Sequence, residues 1–169
     1  LFTKILKLSV PMILTGILQL LFSTADLIVI GQFAGSDSLA AVGATTSLNH
    51  LIINLVLGLS VGANVLMSQA IGAKNRDKAE RTVHTSMTLA LVSGAIFFVF
   101  GYFITRPALV WMKTDAAVLD KATLYLEIIF LGTIANVVYN FGAAILRAKG
   151  DTTRPLIYLT IAGIFNVIL

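Results

Sequence analysis

One carboxylate lies where carboxylates are rare. Asp26 falls within Leu8–Ile30, LSVPMILTGILQLLFSTADLIVI, a run of 23 residues with no other charge. At a helical rise of about 1.5 Å per residue, such a run reaches roughly 30 Å or more, enough to cross a bilayer. A charge at that depth is costly unless it faces a cavity, so it marks an ion or substrate pathway. Desolvation favours the neutral form of a carboxyl, whereas a bound cation favours the carboxylate. The chemistry open to Asp26 is therefore reversible binding of a proton or another cation. Thr15 or Gly16, Gln19 and Ser23 precede it at three- and four-residue steps, on one helix face. A small, polar face points into a bundle or cavity. Gly31 follows Asp26 closely, which places the carboxylate in one half of the membrane and leaves a snorkelling interface residue as the plainer reading.

Other polar residues occupy the apolar runs. Asn136, Asn140 and Arg147 share a stripe, continued by Ala143, and Asn140 by itself fits interhelical hydrogen bonding. Glu127 lies on the opposite side, near a boundary, within reach of Lys121 or Lys113. Asn49, His50, Asn54 and Asn64 fall in another run, with no second ligand at metal-binding spacing. No metal site, phosphate-binding glycine loop, nucleophile motif or acid/base pair emerges, so no enzyme and no cofactor is expected. Without cysteine there is neither a disulfide framework nor thiolate chemistry. No ATP-binding module is visible, so any transport draws on an ion gradient or a separate subunit.

The elements that carry these residues are membrane helices. Of 169 residues, 57% are hydrophobic and 12% charged, about half the charge of a soluble domain. The expected fold is an all-α integral membrane protein, a single transmembrane domain over 1–169. Its apolar helices lie at about 8–30, 39–71, 82–105, 122–146 and 154–169, joined by short turns. The turn at 31–38 carries Gly31, Gly35, Ser36 and Asp37. Asp77 with Glu80 resembles a capping box, and Gly150 a helix stop before Pro155. The second run exceeds one straight span, so it tilts, projects from the membrane, or breaks near Gly58 and Gly62. That G-x-x-x-G pair also suits close helix packing. The fifth run is short for a span, and the chain is expected to be incomplete at both ends. Nine of the twelve Lys and Arg residues fall in the first, third and fifth polar stretches, against Arg106, Lys113 and Lys121 in the others. By the positive-inside rule the N-terminus is cytoplasmic. These basic residues are topology signals, not a nucleic-acid face.

Four stretches then resemble one family: Pro11 followed by ADLIVIGQFAGSDSLAAVG at 25–43, GLSVGANVLMSQAIGAKNRDKA at 58–79, YNFGAAILRAKGDTTRPL at 139–156, and AGIFNVIL at 162–169. Their order and spacing resemble the first five helices of multidrug and toxic compound extrusion (MATE) transporters. The resemblance implies twelve helices in two six-helix lobes around a cleft. This chain would be most of the amino-terminal lobe, and its partner the carboxy-terminal lobe of the same protein. It implies export of small organic, often cationic, compounds across the plasma membrane in exchange for H+ or Na+. It matches Asp26 to a coupling carboxylate and Asn140 and Asn166 to a nearby polar cluster, with Gln19 on the Asp26 face. It also matches Pro11 to a bend in the first helix, with Gly58 and Gly62 as further flexing points.

A lipid-linked oligosaccharide flippase shares the two-lobe architecture. Such proteins place Arg or Lys in the cleft to hold pyrophosphate, whereas the intramembrane charges here are acidic. A small structural or oligomeric membrane protein is the alternative from another class.

Overall fold

The structure is a computed structural model and describes residues 2–168. It consists of five helices: α1 (Phe2–Val29), α2 (Gly35–Gly72), α3 (Arg76–Trp111), α4 (Ala116–Ala148) and α5 (Thr153–Ile168). No strand occurs among the described residues. Three helical stretches, including the run from Leu8 to Gly72, are long and apolar enough to cross a membrane.

The helices are longer than their apolar runs. α2 has 38 residues and α3 has 36, which is roughly 55 Å each at helical rise. α2 continues through Gly58 and Gly62 without a break. α3 begins six residues before its apolar run because Arg76–Arg81 contains good helix formers that keep their charges exposed. At the other end it continues through Pro107, so the expected linker 106–121 shrinks to the turn at 112–115. A helix that leaves the bilayer keeps its backbone bonds, so the end of hydropathy is not the end of the helix.

The turn expected at 31–38 is also helical. A π-helical turn at Ile30–Ala34 carries α1 directly into α2. The reversal is made at Gly35, with φ +81° and ψ 173°, a backbone conformation essentially restricted to glycine. Asp37 does not cap α2. It lies in the first turn and pairs with Lys121 of α4 at 3.4 Å.

Three helix ends share one solution. After α2, α3 and α4 the chain turns through left-handed residues, Lys74, Lys113 and Gly150. At each, the amide of the left-handed residue and the next amide bond back to the last turn, as in Lys74 N to Ile71 O and Asn75 N to Ala70 O, both 3.0 Å. This is the Schellman arrangement. The α3 start is not the expected capping box. Asn75 is the cap, its side chain accepting from Lys78 N at 2.9 Å, while Glu80 pairs with Arg76. Asn75→Ala is expected to destabilise the fold by about 1 kcal/mol, measured by thermal unfolding against Asp77→Ala, which is expected to be near neutral.

Packing divides the helices into a three-helix bundle, α2–α3–α4, and a pair, α1–α5. One core cluster joins Ala41, Leu109, Ala122, Leu126 and Phe130. A second joins Val56, Ala63, Ala90, Val137 and Phe141, and Ile52 touches both. Lipid is as apolar as these side chains, so helix association rests on close fit. The glycines at the contacts are not the expected pair. Nothing lies within 4 Å of a Cβ built at Gly58 or Gly62. Gly101 instead receives the Phe130 ring, Gly163 the Phe22 ring, and Gly94 the Ile134 backbone. Buried hydroxyls bond within their own helices, as in Thr45 to Val42 O at 2.8 Å and Thr105 to Gly101 O at 2.7 Å. No buried side-chain polar atom among the described residues lacks a partner.

Candidate functional site

α1 and α5 run parallel, seated together where Phe22 covers Gly163. One turn beyond that contact, the two helices bring Asp26 and Asn166 together. The Asn166 amide lies beside the Asp26 carboxyl. α4 runs opposite to α1 and brings the Tyr125 phenol close enough to sense the Asp26 charge. Asp26 makes no ion pair among the described residues. Asp26 is exposed, as are Ser23 and Gln19 on the same helix face.

This cluster has the right chemistry for exchanging cations. A carboxylate without a fixed counter-charge has a place for a mobile one. An amide can donate to a carboxylate or accept from a carboxylic acid, and a phenol can do the same. By a turn of the amide or a rotation of the hydroxyl, Asn166 and Tyr125 can therefore answer either charge state of Asp26.

Asn140 is not in this cluster. It lies 15 residues beyond Tyr125 on α4, roughly 22 Å along the axis. Its amide nitrogen donates to Asn136, to the backbone oxygen at 2.9 Å and to the side-chain oxygen at 2.8 Å. It thus lies near the level of Tyr139, whose hydroxyl donates to Pro155 O at 3.2 Å and ties α4 to the start of α5. Asn166 is 11 residues further up α5. The two asparagines occupy different depths because α4 and α5 are antiparallel.

Pro11 lies inside α1 at that lower level. It has no amide proton for the preceding turn. The Thr15 hydroxyl donates to Pro11 O at 2.7 Å, a back-bond of the kind that bends helices. Asn64 joins α2 to α4, its side-chain nitrogen donating to Ala144 O at 2.8 Å. Glu127 is half-buried and makes no ion pair among the described residues, since Lys121 reaches Asp37 instead. Arg106 pairs with Asp120 at 3.1 Å.

Tyr125 is the member of the cluster that sequence reasoning missed. Aromatic residues are common near membrane boundaries, and only its nearness to the Asp26 charge distinguishes this one. No group of three or more metal-binding side chains occurs among the described residues.

The family model described as MatE matches residues 11–169. The probable multidrug resistance protein YoeA of Bacillus subtilis (strain 168) is 29% identical over 160 residues, covering 95% of this chain and 35% of YoeA. An FAD transporter of Shewanella oneidensis is 28% identical, over 98% of this chain and 36% of the transporter. A crystal structure of MATE in the bent conformation matches with a TM-score of 0.91 at 28% identity, over 98% of this chain and 37% of that one. The chain thus spans little more than a third of the length of these relatives. The helix order and packing described above are those of the solved transporter, and the family model runs from Pro11 through α5, so this chain belongs to the MatE family of membrane transporters.

Proposed function

We propose that the protein exports small organic cations in exchange for protons or sodium ions, with this chain as most of the amino-terminal lobe and Asp26 as its coupling carboxylate. The observation that carries the reading is Asp26 itself, an intramembrane carboxylate that makes no ion pair among the described residues and lies beside Asn166, near the Tyr125 phenol. A proton, a sodium ion and an organic cation each neutralise it, so binding of one disfavours the others. That competition is the thermodynamic basis of exchange. The names of the multidrug relatives support a broad range of compounds.

Movement is assigned to α1. The turn at Pro11 and Thr15 is the weakest in the helix, and Asp26 rides on the part beyond it. Gly58 and Gly62 give α2 a stretch with open space beside it, which suits a second flexing point. Two access states, shifted by differential binding of ion and substrate, then complete the cycle. The cell membrane is the proposed site, with the N-terminus in the cytoplasm. Arg76, Lys78, Arg81, Arg147, Lys149 and Arg154 gather at the end where α1 starts, and positive charge favours the cytoplasmic side.

The test uses the full-length protein in liposomes with a pH gradient or a sodium gradient imposed separately. Efflux of a fluorescent organic cation under either gradient is expected. Transport of FAD in place of any cation overturns the substrate class, and lipid translocation without gradient-driven efflux replaces antiport with a flippase. Asn166→Ala is expected to lower coupled efflux about fivefold, the worth of one hydrogen bond of about 1 kcal/mol.

A further inference from the structure

At the end of the lobe opposite Asp26, a recess of about 400 Å³ opens between α1, α2 and α4. Leu8 and Met12 of α1 and Val61 of α2 form an apolar wall, and all three are exposed. Arg147, Asn64 and Thr152 supply the polar side. Arg147 has no carboxylate partner among the described residues. The acidic residue of the adjoining turn, Asp151, is already engaged. It pairs with Arg154 at 3.1 Å and caps α5 through Thr153 N and Arg154 N. A half-buried guanidinium beside an apolar wall is costly to leave without a counter-charge.

We propose that this recess binds an anionic phospholipid, its phosphate on Arg147 and its acyl chains along Leu8, Met12 and Val61. The guanidinium fork matches phosphate oxygens. The Asn64 amide, fixed by its bond to Ala144 O at 2.8 Å, still has an oxygen and one N–H for the glycerol hydroxyls. The volume lies in the range of small-ligand sites, and basic recesses between membrane helices suit lipid headgroups. A soluble anion would satisfy Arg147 but gain nothing from the apolar wall. Leu8 and Met12 flank Pro11, so an occupied recess fastens the turns around Pro11 to α2 and α4. The site does not depend on the antiport reading, because binding is measured without transport.

Native mass spectrometry of the full-length protein in detergent is the test, with phosphatidylglycerol, phosphatidylcholine of the same chains, and sn-glycerol 3-phosphate as probes. One phosphatidylglycerol is expected to be retained at concentrations where phosphatidylcholine is not. Arg147→Gln is expected to weaken that retention about tenfold, and Arg154→Gln to leave it unchanged. Val61→Trp keeps the charge but fills the recess, and is expected to lose the lipid as well. It decides the matter if Arg147→Gln does not fold. Equal retention of both lipids, or unchanged retention in Arg147→Gln or Val61→Trp, overturns the site. Glycerol phosphate binding as tightly as the lipid makes it a soluble-anion site instead.

Discussion

Asp26→Asn in the full-length protein is expected to reduce ion-driven efflux on the order of 10- to 100-fold, the scale of a coupling free energy of about 1–3 kcal/mol. The substitution is nearly isosteric and leaves a side chain that can still hydrogen-bond a neighbouring amide, so expression and thermal stability are expected to stay near wild type. What it removes is the charge, and with it the competition between driving ion and substrate. Substrate can still enter the cleft, so equilibration down its own gradient is expected to survive while uphill efflux is lost. That split separates a coupling residue from a merely structural one. Proteoliposomes give both readouts in one preparation. Uphill efflux at the wild-type rate, at normal expression, would sink the assignment of Asp26.

Gly101→Ala and Gly132→Ala are expected to have opposite signs. Both place a methyl group on a membrane helix, and alanine in place of glycine ordinarily stabilises a helix by roughly 0.5–1 kcal/mol. Beside Gly132 nothing lies within 4 Å, so the gain is expected there. At Gly101 the new methyl lands on the Phe130 ring. That ring is only 5% exposed and packs with Leu109, Ala122 and Leu126, so it has no free space to move into. Either α3 and α4 part or the ring leaves its rotamer, at a cost of about 1–3 kcal/mol. Thermal unfolding in detergent reads both effects. Phe130→Leu added to Gly101→Ala is expected to recover part of the loss, because the two sites share one contact. A stabilising Gly101→Ala would mean that the α3–α4 interface is looser than the structure has it.

The sequence by itself determined the class of fold. Long apolar runs, few charges and basic residues in alternate turns leave no soluble alternative. It also singled out Asp26, since a charge inside such a run is conspicuous without any neighbour, and it located Pro11. The helix ends were less legible. Hydropathy marks where lipid contact stops, whereas a helix stops where its backbone bonds are capped, at Lys74, Lys113 and Gly150. The π-helical turn before Gly35 leaves no composition signal distinct from an ordinary turn.

Partnership was decided only by tertiary structure. Asn140 and Asn166 look equivalent in sequence, as amides in neighbouring membrane helices. Antiparallel packing puts one beside Asp26 and the other roughly 20 Å away. Gly58 and Gly62 form the recognisable packing motif, yet Gly101 and Gly163 make the contacts, because the direction a glycine faces depends on which helix lies next to it. Tyr125 and Arg147 gain their roles in the same way, one from the approach of α4 to α1 and the other from the recess between three helices. Spacing along one chain fixes a helix face, but depth and neighbour are set by how helices are aligned and rotated against each other.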